Sequence, residues 1–267
     1  MYRALRHLCL GFLFAVTLTS APMAACADAP NAPETYSRLR VSLGGNLFTG
    51  NLNQLIGNLH AHYGLSTPKA GVDLVLNAFR LWVKPTKEAS YKVVGSDVLV
   101  TALPHWYVSD RLHLSGFARY ESRLNLQLDL RLLAGVGLGY TPARSKNFLA
   151  RVAIVPLFEH ASFADDNFRL PVPNDGGARN LLRIGLLSNG WYRIKGSPVT
   201  FRYLFQAFFN PQIARDFRVF LNMSANIHIS GPLALRVAAM ITHEEAILEG
   251  REPDDVRATF GLTLALR

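Results

Sequence analysis

The chain has 267 residues, of which 49% are hydrophobic and 18% are charged, and its formal net charge at pH 7 is +9. This length suits one large β domain or two ordinary domains, and the hydrophobic share is high for a soluble protein. The basic residues are spread singly along the chain and form no basic helix or arm, so the positive charge does not indicate a nucleic-acid partner.

The first 27 residues have the features of a secretory signal peptide. They begin with Arg3 and Arg6, continue through an apolar stretch over residues 8–16 and end in small residues. We therefore predict export from the cytoplasm, with cleavage after Ala27.

This cleavage predicts the division of the chain. Residues 28–36 would be a short periplasmic segment, and residues 37–267 would form the folded domain. Cleavage before Cys26, with MAAC as a lipobox, would instead produce a lipoprotein. Cys9 and Cys26 are the two cysteines of the chain, and their loss with the signal would leave no disulfide framework.

Twelve segments of the mature chain alternate between apolar and polar residues. Successive side chains of a strand point to opposite faces, so the alternation predicts β-strands with one apolar face. Each segment is long enough for the roughly 9 to 11 residues that a tilted strand needs to cross a bilayer. The segments are 37–47, 53–65, 72–83, 93–107, 111–121, 124–140, 147–159, 180–193, 198–209, 216–229, 233–243 and 255–267.

The sixth segment, LNLQLDLRLLAGVGLGY, has a regular alternation. Leu132, Val136 and Leu138 fall on its apolar face, and Asp129 and Arg131 fall on the opposite face with three glycines. The glycine motif GVGLGY lies inside this strand with no helix after it, so it does not predict a nucleotide site.

The lengths of the links between strands and the positions of aromatic residues both indicate that the two ends of the predicted sheet differ. Most short links fall on the side predicted to be periplasmic, whereas the long links 161–178 and 244–254 fall outside, as in outer-membrane barrels. The short link at 121–123 is on the opposite side from the other short links. The aromatic residues near the strand ends predict two belts about a membrane thickness apart. They are Tyr63, Trp106, Tyr140 and Tyr192 at one end, and Trp82, Tyr120, Phe158 and Phe209 at the other.

These features predict an all-β fold, a closed antiparallel transmembrane β-barrel of about 12 strands. The alternative is a soluble periplasmic β-barrel or β-sandwich binding protein that turns its apolar face inward. In the membrane barrel, the lumen-lining residues are expected to be Arg119, Asp129, Arg131, Arg151, Arg183, Arg202, Arg218, Arg236 and Arg257. The arginines either pair with acids such as Glu159 and Asp255 and fill the lumen, or line a narrow channel that prefers small anions.

Two pairs of side chains have spacings found in metal sites or catalytic sites. His60 and His62 share one strand face, as two metal ligands can, but no third ligand accompanies them. His160 and Ser162 are similar to the pair found in outer-membrane lipid A deacylases, with Phe163 in place of the Asn that usually follows. A nucleophile and its base need a third group to orient them, and the sequence does not identify one. We expect no enzyme activity, catalytic residue, metal or cofactor; a lipid-modifying enzyme is the alternative.

Four motifs carry a resemblance to a known family: GNLN (50–53), LHLSGFARYES (112–122), LDLRLLAGVGLGYTP (128–142) and YLFQAFFNPQIARDFRV (203–219). In their order and spacing they resemble the uncharacterised outer-membrane family labelled "salt-induced outer membrane protein". The resemblance implies a β-barrel in the cell outer membrane, and it implies no reaction. The expected partners are therefore outer-membrane lipid, the barrel-assembly machinery and small anions. Such barrels usually end in an aromatic residue, whereas this chain ends in Leu266 and Arg267.

Overall fold

The computed structural model describes residues 36–48, 53–84, 89–168, 170 and 176–266. Within these ranges the chain forms twelve β-strands, each within a few residues of a predicted segment. The strands are β1 (Tyr36–Phe48), β2 (Asn53–Ser66), β3 (Ala70–Lys84), β4 (Lys92–Tyr107), β5 (Leu112–Arg123), β6 (Leu128–Arg144), β7 (Phe148–Phe163), β8 (Ala178–Arg193), β9 (Val199–Phe209), β10 (Phe217–Ser230), β11 (Leu233–Glu244) and β12 (Asp254–Leu266). The predicted signal peptide and almost all of segment 28–36 lie outside the described residues, so both stay predictions.

The strands close into a barrel. Each strand pairs antiparallel with the next, and β1 pairs with β12. At this seam the register runs from Leu39 opposite Leu266 to Gly44 opposite Gly261. Closure removes the unpaired sheet edges that a bilayer could not hydrogen-bond. The predicted closed antiparallel barrel of about 12 strands is confirmed.

The two ends of the barrel differ in their connections. At one end, called the turn end, β1 begins, β12 ends and short links such as 108–111 and 231–232 join the strands. At the opposite end, called the loop end, lie the long connections 164–177 and 245–253. Among the described residues no helix is long and apolar enough to cross a membrane.

The outer face of the barrel is apolar along the middle of the strands. Leu138 and Leu182 are 72% and 65% exposed, a degree of exposure that a soluble protein does not give to a whole band of leucines. Exposed aromatic residues flank this band: Trp106, Tyr140 and Tyr192 near the turn end, and Tyr120, Phe158 and Phe209 near the loop end. An apolar band between two aromatic belts is the surface of a transmembrane barrel. The soluble alternative, which needs the apolar face inside, does not fit it.

The predicted start of the sixth strand is wrong. Residues 124–126 form a turn of 3-10 helix, Gln127 has a φ of 52°, and β6 begins at Leu128. The two adjacent strands need a reversal between them, and the continued alternation of leucines hides this reversal in the sequence.

The inward placement of Asp129 is also wrong. The register of β6 against β7 shifts between Leu128 and Leu130. A bulge of this kind moves one residue out of the alternation of faces. Leu128 is therefore buried, Asp129 is exposed, and the inward positions resume at Arg131.

Part of the interior is a packed apolar core, which the sequence analysis did not predict. Its residues come from β4 to β10, where leucine, valine and phenylalanine also occupy inward positions. They are Leu99, Leu103, Phe117, Leu133, Ala153, Val155, Leu157, Leu187, Leu204, Phe208 and Phe220. The strands around this core are therefore buried on the inside and apolar on the outside.

The described parts of the two long connections pack against each other at the loop end. Phe168 and Leu248 form an isolated β-bridge between the two long connections. The ring of Phe168 packs edge-on against that of Phe163, with 5.0 Å between centroids, and Ala246 and Leu248 are buried. These contacts bring apolar side chains of the two connections together with the end of β7.

Candidate functional site in the barrel interior

Eight of the nine predicted lumen residues occupy inward positions, and Asp129 is the exception. Six of the eight are buried and two are half-buried. The buried ones are Arg119, Arg131, Arg151, Arg183, Arg218 and Arg236, and the half-buried ones are Arg202 and Arg257.

Nine charged side chains form an ion-pair network toward the loop end, called the loop-end network. They come from β5 to β8, from β10 and β11, and from the residue before β10. They are Glu121, Arg123, Arg131, Glu159, Arg179, Arg183, Asp216, Arg218 and Glu244. Five arginines and four carboxylates nearly balance in charge, as buried ions must if their desolvation is to be compensated.

Arg131 lies at the centre of the loop-end network. Its Nη1 donates to Glu244 Oε2 at 3.0 Å and lies 3.4 Å from Glu121 Oε2, and its Nε lies 3.4 Å from Glu159 Oε1. Since β6 and β11 are not neighbours in the sheet, the contact between Arg131 and Glu244 crosses the interior. One guanidinium therefore holds three parts of the barrel wall together.

The same network anchors the loops. Arg183 Nε donates to Glu159 Oε2 at 2.5 Å, and its Nη2 donates to both carboxylate oxygens of Asp216 at 3.0 and 3.1 Å. Asp216 belongs to the connection between β9 and β10. Arg179 Nη1 donates to the backbone carbonyl of Ala246, in the connection after β11, at 3.0 Å. Two loop-end connections are thus tied to β8.

Arg119 lies among aromatic rings of the apolar core. Its guanidinium carbon is 4.5 Å from the ring centroid of Phe220 and 5.7 and 5.8 Å from those of Phe208 and Phe117. It also donates a hydrogen bond to the side chain of Gln206. Cation–π contacts stabilise a cation that has no carboxylate beside it. Arg119 is therefore part of the packed interior.

A second polar cluster bridges the barrel toward the turn end. Arg151 Nη1, on β7, lies 3.0 Å from Asp73 Oδ2, on β3. His62 Nε2 lies 3.0 Å from Asp73 Oδ1, and Arg202 Nη1, on β9, lies 3.4 Å from His62 Nδ1. Arginine can only donate, so Nδ1 accepts and Nε2 carries the proton that His62 donates to Asp73.

Two small cavities lie in the described interior. One cavity of about 50 Å³ is lined by residues that include Asn58, His60 and Arg236, and another of about 10 Å³ lies beside His105 and His113. One water needs roughly 10–15 Å³ by this measure. The first cavity therefore has room for a few waters and the second for about one.

The sequence predicted two of the inward acids, Glu159 and Asp255, but not most of the others. The acids it missed are Asp73, Asp97, Glu121, Asp216 and Glu244. Asp97 and Glu121 keep the inward alternation of β4 and β5, so a stricter count of alternate positions could have found them. Asp216 and Glu244 lie at strand ends, where alternation does not decide the direction of a side chain. The interior is accordingly closer to charge balance than predicted.

The pair His60 and His62 and the pair His160 and Ser162 lie on different faces of the barrel wall. His60 Nδ1 lies 2.8 Å from Asn77 Oδ1, inside the barrel. His160 and Ser162 lie on the outward face of β7, and His160 Nδ1 lies 2.9 Å from Asn180 Oδ1. In the part of the chain that the structure describes, no carboxylate contacts His160, and no group of three or more His, Cys, Asp or Glu residues could hold a metal.

The sequence profile of a family described as a protein of unknown function, DUF481, matches residues 41–266. The chain belongs to this family. The family description names no activity, so the salt-induced label stays a prediction. A comparison with curated protein sequences gives no match.

Several solved structures are similar to the chain. The NanC porin has 10% identity and a TM-score of 0.47, with 86% of this chain and 100% of that chain covered. An outer membrane channel from Pseudomonas putida F1 has 10% identity and a TM-score of 0.46, with 90% and 98% covered. The translocator domain of the autotransporter NalP from Neisseria meningitidis has 8% identity and a TM-score of 0.43, with 95% and 97% covered.

Proposed function

We propose that the chain is an outer-membrane β-barrel with a structural role in the envelope and an interior closed by its own side chains. The contact of Arg131 with Glu244 across the interior carries this proposal. Opening a channel would separate these buried charges, which is costly when each partner loses its counter-ion. The apolar outer face and the predicted signal peptide support placement in the outer membrane.

Conductance in planar lipid bilayers tests the closed interior. We expect the wild-type barrel to add no steady conductance, because the ion-pair network, the apolar core and the loop-end contacts all fill the lumen. The double variant Arg131→Ala with Glu244→Ala removes both charges and leaves space, so it should show intermittent small currents. Arg111→Ala, in an exposed turn, is the control and should be silent. A large steady conductance of the wild type would overturn the proposal.

A narrow anion-preferring channel is the second candidate, favoured by the excess of inward arginines over acids. A channel of this kind would conduct weakly and prefer anions, because a low-dielectric wall strengthens the positive interior potential. Its preference would decline as salt shortens the Debye length from about 10 Å at 0.1 M. Half-buried Arg202 is the residue to reverse, since Arg131 and Arg218 are held in the loop-end network. Arg202→Glu should shift the selectivity of this channel toward cations.

No catalytic role enters the proposal. His160 has an amide partner where a hydrolase would need a group that stabilises its charged form. The partners that we propose are outer-membrane lipid around the apolar band and the barrel-assembly machinery, which would receive β12 as the closing strand.

A further inference from the structure

Among the described residues, one inward arginine lacks both the counter-ions of the loop-end network and the aromatic rings that surround Arg119. Arg236, on β11, is 6% exposed and lines the cavity of about 50 Å³ together with Asn58, His60 and Asn77. None of the residues that the structure describes accepts a hydrogen bond from its guanidinium or forms an ion pair with it. Buried charges in proteins are normally paired, because an isolated one loses its hydration without compensation. Arg236 therefore differs from the arginines of the loop-end network.

Two glycines lie between Arg236 and Asn58 in the strand register. In the register, Arg236 lies opposite Gly261, Gly261 opposite Gly44, and Gly44 opposite Asn58. The two strands of the seam therefore present no side chain between Arg236 and Asn58. A Cβ on Gly44 would lie 2.0 Å from the backbone oxygen of Phe260 and 2.7 Å from Asn58 Oδ1, so no larger residue fits here without moving both.

Two amide donors of the cavity wall have no hydrogen-bond partner in the described structure. Asn77 Oδ1 lies 2.8 Å from His60 Nδ1 and 3.4 Å from Asn222 Nδ2. The Nδ2 of Asn77 has no hydrogen-bond partner in the described structure. The Nδ2 of Asn58 is likewise without one. These amide dipoles present their positive ends within the wall.

Other charges around the cavity do not neutralise Arg236. Asp97 also lines the cavity, and its carboxylate forms an ion pair with Arg257. Arg257 contacts Asp255 as well, at 2.5 Å. Arg202 also repels Arg236 electrostatically. The cavity is therefore positive on the side of Arg236.

We propose that Arg236 binds a small monovalent anion in this cavity. The anion would accept charge-assisted hydrogen bonds from the guanidinium and supply the counter-charge that the protein lacks. A volume of about 50 Å³ corresponds to about three to five waters at roughly 10–15 Å³ each. That size admits a halide, nitrate or a single carboxylate group and excludes a sugar or a nucleotide. The site is independent of the structural role proposed above and does not require the barrel to conduct.

Crystallography with bromide tests the position of the anion directly. Crystals of the full barrel grown in sodium bromide should show an anomalous peak within hydrogen-bonding distance of the Arg236 guanidinium. The peak should be absent from Arg236→Gln crystals grown in the same way. No peak beside Arg236 in the wild type, or a peak that persists in the variant, would overturn the proposal.

Thermal unfolding tests the same site in solution. The wild-type barrel should unfold at a higher temperature in sodium chloride or nitrate than in sodium gluconate of equal ionic strength, because gluconate is too large for the cavity. Arg236→Gln should lose this difference and be no less stable than the wild type in gluconate, since it no longer carries an uncompensated charge. Arg151→Gln is the matched control: it removes a buried, paired arginine outside the cavity, so it should be destabilised and keep the difference. Equal wild-type midpoints in the three salts, or a difference retained by Arg236→Gln, would contradict the proposal.

Discussion

At the scale of single residues, the pairing of buried charges determines what a substitution costs. Arg131 is fully buried and contacts three carboxylates. Arg131→Gln leaves them with too little positive charge, so we expect the free energy of unfolding to fall by about 3–5 kcal/mol. Urea unfolding in lipid vesicles, followed by tryptophan fluorescence, measures this change.

The control for this prediction is an arginine outside the interior. Arg111 lies in an exposed turn, and Arg111→Gln should change the free energy of unfolding by no more than about 0.5 kcal/mol. Adding Glu244→Gln to Arg131→Gln should cost less than the sum of the two single changes, because contacting residues are coupled. Equal losses for Arg111 and Arg131 would show that the loop-end network does not stabilise the barrel.

His160 and Ser162 carry a second prediction at this scale. We expect His160→Ala and Ser162→Ala to leave lipid A and phospholipid acylation unchanged, because His160 contacts the amide of Asn180 and no carboxylate among the described residues. Mass spectrometry of extracted lipids measures acylation, with the amount of folded barrel as the control. A lipid profile that depends on either side chain would establish the enzyme alternative.

At the scale of elements, the seam between β1 and β12 is the place where the barrel closes. A Cβ on Gly44 would lie 2.0 Å from the backbone oxygen of Phe260, so Gly44→Ala must push the two strands apart. We expect a loss of about 1–3 kcal/mol, typical of overpacking, and a smaller fraction of folded barrel on a gel run without heating. Gly95→Ala is the control, because its Cβ would lie 3.4 Å from Leu81 Cβ, close to an ordinary contact. If both variants fold equally well, the seam tolerates more crowding than the register indicates.

At the scale of the whole molecule, the exposed apolar band determines where the protein can reside. We expect the protein in the outer-membrane fraction, released only by detergent, because the band between the aromatic belts must be covered by lipid. The closed sheet should also resist detergent until heated, so heated and unheated samples should migrate differently on a gel. Recovery from the soluble periplasmic fraction with no heat-dependent shift would contradict the membrane barrel.

The sequence by itself determined the strands and their lipid-facing side. Alternation is a local property, because successive side chains of any strand point to opposite faces, and the outward leucines keep this period in nearly all segments. It failed at residues 124–129, where a turn and a bulge interrupt the period without interrupting the apolar pattern. Alternation also could not separate the apolar core from the lipid face in β4 to β10, since both faces there are apolar.

Tertiary structure alone decided which inward charges meet. Arg131 and Glu244 lie 113 positions apart in the chain, and their contact depends on closure of the barrel and on the stagger of its strands. The same closure brings Asp73 to Arg151 and leaves Arg236 beside a small cavity. Pairing across a barrel is non-local, and two inward arginines with the same local pattern can therefore end up with or without a counter-ion.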